Sequence, residues 1–156
     1  MRRATARVLF LLEIGLACGP TFGQAQDFYG GLAYDYSIGG LGQSGLEAFA
    51  GVRFGEGALS FGAELARGLG DGDPFEATRL RGLVGSSLGV VNLFGSFGWT
   101  RLDLGSSSVA DGINLGFGAD YGLTDAASLR FEMVFDHVPD FGPDLTSLRM
   151  GVAFGF

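Results

Sequence analysis

The sequence predicts an all-β chain that folds as an eight-stranded antiparallel up-and-down transmembrane β-barrel. Three observations predict it. The chain is hydrophobic (47%) and rich in glycine, 29 of 156 residues, yet no apolar run approaches the ~18 residues of a spanning helix. Eight segments alternate large apolar residues with small or polar ones at a period of two, the period of a strand. The connections between those segments are alternately short and longer, the asymmetry of a bacterial outer-membrane barrel.

Other classes fit poorly. The glycines have no collagen-like period of three, and 15 Phe do not suit a disordered chain. The formal net charge is −7 and there is no Lys, so the chain lacks the basic face of a nucleic-acid binder. A single Cys excludes an internal disulfide framework or a Cys-based zinc site.

Residues 1–25 read as a secretion signal. Arg2, Arg3 and Arg7 form a basic start, Val8 to Cys18 is mostly apolar although Glu13 interrupts it, and Gly23-Gln24-Ala25 offers small residues before a cut. Cys18 is not in a lipobox, because Leu16 lies one place from the usual position. Removing this segment leaves residues 26–156 as one barrel domain, more acidic than the whole and without Cys, which suits an oxidising compartment.

The last segment is the clearest. Thr146, Leu148, Met150, Val152, Phe154 and Phe156 share one face, and Ser147, Arg149, Gly151, Ala153 and Gly155 share the other. Backwards along the chain, Leu129, Phe131, Met133 and Phe135 oppose Ser128, Arg130, Glu132 and Asp136. Ile113, Leu115, Phe117, Ala119 and Tyr121 oppose Asn114, Gly116, Gly118 and Asp120. Val91, Leu93, Phe97 and Trp99 oppose Asn92, Ser96, Gly98 and Thr100, with Phe94 and Gly95 exchanged between faces. Leu80, Val84 and Leu88 oppose Arg79, Arg81, Gly85 and Ser87 in the least regular segment. Leu59, Phe61, Ala63 and Leu65 oppose Ser60, Gly62, Glu64 and Ala66; Leu46, Ala48, Ala50, Val52 and Phe54 oppose Glu47, Gly51 and Arg53; Phe28, Leu32, Tyr34 and Tyr36 oppose Gly31, Ala33 and Asp35. Short connections fall near 55–57, 88–90 and 124–125, and longer ones near 37–44, 68–76, 102–110 and 138–145.

Polarity decides which face is outside. A soluble barrel would turn charge outward. Here the large apolar face suits lipid, and lipid forces a sheet to close because it cannot satisfy open backbone groups. The inward face is then small and polar. It carries the acids Asp35, Glu47, Glu64, Asp120, Glu132 and Asp136 and the bases Arg53, Arg79, Arg81, Arg130 and Arg149. Buried charges are tolerable only when paired, so these eleven residues are expected to form a salt-bridged plug. Arg130 is expected to pair with Glu132, Asp136 or a cross-strand acid.

Three stretches, DFYGGLAYDYS (27–37), YGLTDAASLRFEMVFDH (121–137) and the closing LRMGVAFGF (148–156), make the chain resemble the small OmpA/OmpX-like outer-membrane β-barrel family over nearly all of residues 26–156. The resemblance implies an outer-membrane location and, in Phe154 and Phe156, a signal for the barrel-assembly machinery. Members of that family include anchors, adhesins, small pores and a few lipid-modifying enzymes, so fold alone does not name a role.

Catalytic chemistry is thin. Some eight-stranded barrels deacylate lipid A with a His-x-Ser pair, whereas the only His here begins His137-Val138-Pro139 and lacks the Ser. Gly40 to Gly45 matches G-x-G-x-x-G but has no strand–helix context. Asp71-Gly72-Asp73 with Glu76 is an incomplete calcium pattern and reads as a solvated acidic loop, and Asp103, Asp111, Asp140 and Asp144 make the other long loops acidic. The sequence therefore points to a non-catalytic, monomeric outer-membrane barrel without cofactor or metal, whose partners are outer-membrane lipid, lipopolysaccharide and the assembly machinery. A small weak porin is the second reading and a lipid A-modifying enzyme the third.

Overall fold

The computed structural model describes residues 26–38, 44–55, 59–69, 76–103, 109–142 and 144–156. The signal-like segment 1–25, most of the Gly40 to Gly45 motif and the Asp71-Gly72-Asp73 loop lie outside them. Eight strands run in chain order: β1 (Gln26–Ser37), β2 (Ser44–Phe54), β3 (Leu59–Leu69), β4 (Glu76–Leu88), β5 (Val91–Asp103), β6 (Val109–Gly122), β7 (Ala127–His137) and β8 (Leu145–Gly155). Each pairs antiparallel with the next, and β8 pairs with β1, so the sheet is a closed barrel.

The register fixes the shape. From Asp27 the paired residues run Arg53, Gly62, Leu83, Ser96, Gly116, Val134 and Ser147, and return to β1 at Ser37. One circuit thus climbs from position 27 to position 37 of the same strand. Closure with such a stagger tilts the strands by about 35–45° and leaves an interior just wide enough for side chains to fill.

The turns 55–58, 89–90 and 123–126 mark one end of the barrel, and the connections 38–43, 70–75, 104–108 and 138–144 mark the other. The strands reach further into the longer connections than the alternation suggests. Glu76, Asp103 and Val109 are ladder residues, because antiparallel pairing continues past the point where the apolar pattern stops. The tightest turn needs Gly89, whose φ of 65° is costly for a residue with a Cβ. The last connection holds a single 3-10 turn, Pro139–Phe141.

The outer surface is apolar. Leu32, Tyr34, Phe61, Leu80, Val84, Phe97, Ile113, Leu115, Phe117, Phe131, Met150 and Phe154 are all exposed. On a soluble protein so continuous an apolar face would be an interaction liability. The inward face departs from the small and polar expectation. Tyr29, Phe49 and Phe94 are buried inside the barrel, as are Leu83, Leu102 and Val134. Volume explains them: the many inward glycines leave gaps, and an interior packed at native density fills them with rings and branched chains. Ala77, Leu102, Ala110, Val138 and Leu145 form an apolar layer at the long-loop end, and Tyr29, Ala33, Phe49, Ala66 and Ala153 form another on the β1–β3 and β8 side.

Candidate functional site: the lumen charge network

All eleven inward charged residues meet in one connected network, and every strand contributes to it. Nearest the long-loop end, Arg79 on β4 is the hub. Its Nη1 donates to Glu47 at 2.5 Å and to Asp35 at 3.0 Å, and its Nε and Nη2 grip Asp136 at 3.3 and 2.8 Å. Thr100 donates to Asp136 Oδ1, the oxygen that Arg79 Nε reaches, at 2.5 Å, and Asn114 donates to Thr100 at 2.8 Å.

Two residues along β4, on the same face, Arg81 spans the centre. It donates to Glu132 on β7 at 2.6 Å and to Glu64 on β3. Arg149 on β8 closes the layer by donating to both Glu132 and Glu47, while Ser96 on β5 donates to Glu132 at 3.1 Å. Each of these carboxylates therefore serves two guanidinium groups, and charge-assisted pairs of this kind are the strong hydrogen bonds.

Toward the short-turn end Arg130 grips Asp120 with two bonds, Nε at 2.7 Å and Nη2 at 3.0 Å, and reaches Glu64 with Nη1. Tyr29 donates its hydroxyl to Glu64 at 2.9 Å. Arg53 adds a third contact to Asp120 at 3.0 Å. The partners of Arg130 are thus a cross-strand acid and Glu64 from the far wall. Glu132 and Asp136, on its own strand, turn instead to Arg81, Arg149 and Arg79.

The buried aromatics, which charge patterning alone did not reveal, belong to this site. The Arg130 guanidinium lies 4.7 Å from the Phe49 ring centre, 4.9 Å from Phe94 and 5.2 Å from Tyr29. Arg53 lies over Tyr29 at 5.3 Å and Arg149 over Phe49 at 5.7 Å. A desolvated cation on an aromatic face gains about 2 kcal/mol, so these rings fill space and hold charge at once. Their signal in the sequence is parity: Tyr29, Phe49 and Phe94 are the aromatic residues that break the outward alternation.

Outside the network, His137 faces outward from β7, with Nδ1 2.6 Å from Asp144 Oδ1, whereas Ser147 is buried on the inward side of β8. The barrel wall separates them. Glu76 pairs with Arg67 at 2.8 Å on the outer face, and Asp111 pairs with Arg101 at 2.9 Å, so two loop-flanking acids are strand residues with partners. Phe154 and Phe156 are both exposed on the outer surface, and the Phe156 amide donates to the Phe28 carbonyl at 2.9 Å across the closing seam.

No family model and no curated protein matches the chain. Solved structures do. The N-terminal β-barrel domain of Pseudomonas aeruginosa OprF matches with a TM-score of 0.60 at 14% identity, over 86% of this chain and 100% of that one. Yersinia pestis Ail, the attachment invasion locus protein, solved with the heparin analogue sucrose octasulfate, matches at 0.62 and 11%, over 84% and 97%. Neisserial surface protein A matches at 0.58 and 16%, over 86% and 100%. At these identities the likeness is one of architecture: the chain has the fold of the small eight-stranded outer-membrane β-barrels.

Proposed function

We propose that this chain is an integral bacterial outer-membrane barrel with a structural or surface-interaction role, its lumen plugged by the Arg–acid network. The carrying observation is the wall-to-wall layer at mid-lumen, where Arg81, Arg130, Arg149, Glu64 and Glu132 are all buried and mutually bonded. The apolar outer face suits lipid, and the fold likeness suits the outer membrane. In that membrane the short-turn end faces the periplasm, the longer connections meet lipopolysaccharide, and Phe154 and Phe156 lie where the assembly machinery would read them. The protein acts as a monomer without cofactor, and residues 1–25 are removed on export.

Planar-bilayer recording tests the plug. The intact protein should give no stable channel, while Arg81→Ala with Glu132→Ala should raise conductance by opening the central layer. A steady conductance in the intact protein would favour the small-porin reading, which draws support from a cavity at the short-turn end. Cell fractionation with a heat-modifiability gel tests the location, intact mass tests removal of residues 1–25, and mass spectrometry of lipid A with and without the protein tests the non-catalytic reading.

A further inference from the structure

The lumen opens at its short-turn end into a cavity of about 430 Å³, inside the roughly 300–1,000 Å³ of small-molecule sites. Its charged lining is Arg53, Arg130 and Asp120 deeper in, and Asp27 and Asp125 at the mouth. Arg53 differs from the other lumen bases. Its side chain is 28% exposed, against 4% or less for Arg79, Arg81, Arg130 and Arg149.

Arg53 is also the base whose departure costs its partner least. Asp120 keeps both bonds from Arg130, so an Arg53 that turns to an incoming anion strands no buried carboxylate, the usual penalty of breaking such a pair. Tyr29 backs the Arg53 guanidinium and Ala153 adds to the apolar lining. A simple anion would face opposition at the mouth. Asp27, the ladder partner of Arg53, and Asp125 in the β6–β7 turn are both exposed there. A ligand that carries a cation beside its carboxylate meets both signs with the correct complement.

We propose that this cavity binds a small zwitterion, a free α-amino acid, with its carboxylate on Arg53 and its ammonium toward Asp27 and Asp125. The site needs only the short-turn end of the lumen, so it stands whether or not the barrel conducts.

The test is an NMR titration of the intact barrel in phospholipid nanodiscs, following the backbone amides of Asp27 and Ala126 to Ser128. The probes are leucine, 4-methylpentanoate, which lacks the ammonium, and 3-methylbutylamine, which lacks the carboxylate. Leucine should give saturable shifts, and each analogue should bind at least about tenfold more weakly, the equivalent of one well-placed charged contact. Arg53→Gln should abolish the leucine shifts while the remaining spectrum stays folded. If that variant does not fold, Asp27→Asn decides, since it should weaken leucine and leave 4-methylpentanoate unweakened. Linear, unsaturable shifts overturn the proposal, as do equal binding of the analogues, leucine shifts that survive in a folded Arg53→Gln, or leucine affinity that Asp27→Asn leaves unchanged.

Discussion

Arg81 on β4 and Glu132 on β7 meet across the barrel at 2.6 Å although 51 residues separate them in the chain. Their strands are not neighbours in the sheet, so this pair is a strut through the lumen and not a ladder contact. Arg81→Met should destabilise the barrel by about 3–5 kcal/mol, because Glu132 and Glu64 each lose a buried partner. Arg101→Met offers the contrast. Its ion pair with Asp111 is half-exposed at the outer rim, and such pairs are worth about 0–1 kcal/mol. Urea unfolding in lipid vesicles should separate the two variants clearly. Equal, small losses would mean that the lumen is wetter than the packing implies.

The aromatic faces around Arg130 carry a second expectation. Phe49→Leu keeps most of the apolar volume but removes the ring from both Arg130 and Arg149. The expected loss is about 1–2 kcal/mol, the scale of a desolvated cation on an aromatic ring. Phe117→Leu, on the outer face, swaps one exposed apolar side chain for another and should cost under about 1 kcal/mol. The same unfolding assay compares them, and a reversed order would remove the aromatic stack from the account of the lumen.

Much of this arrangement is legible in the residues alone. Parity alone puts Arg79, Arg81, Arg130 and Arg149 on one face with their acids, because in a strand every second side chain shares a side. Parity does not say who meets whom. Arg149 bonds Glu47 at a separation of 102 residues, and Arg79 crosses from β4 to Asp136 on β7. Those partnerships depend on the stagger of the closed sheet, which is a property of the whole register and of no single segment. The inward aromatics were hidden for a related reason. A Phe on an otherwise small face reads as an irregularity of the pattern until the interior volume that it must fill is known.

Glycine on the two faces should behave oppositely. A Cβ on Gly116 would stand 2.8 Å from the Glu132 carboxylate and 2.5 Å from the Ser96 hydroxyl, so Gly116→Ala must displace a member of the central layer. Overpacking of that kind costs about 1–3 kcal/mol. Gly95 faces outward, and its nearest neighbour would be 3.8 Å away. Gly95→Ala should therefore be neutral or stabilising by up to about 1 kcal/mol, since Ala orders the unfolded chain more than Gly does. Paired unfolding curves give the sign directly, and a larger penalty at Gly95 than at Gly116 would invert the assignment of inside and outside.

The closing strand offers the sharpest test of that assignment. On β8, Met150 is exposed at 61% whereas Ala153 is 5% exposed, and Gly151 shares the parity of Ala153 and Arg149. Single Cys residues at 150, 151, 152 and 153, in a Cys18→Ala background, can carry spin labels one at a time. A lipid-borne quencher or relaxation agent should touch labels at 150 and 152 strongly and those at 151 and 153 weakly. The energetic counterpart is Arg at Val152, which would meet hydrocarbon at a cost of roughly 2–4 kcal/mol near the midplane and less toward the interface. Arg at Gly151 would enter the polar side, where crowding against Ala33 is the main cost and nearby carboxylates offset the charge. A label profile that repeats every second residue requires a lipid-facing strand. A flat profile, or one repeating every three to four residues, would rule out β8 as a membrane strand and with it the outer-membrane barrel.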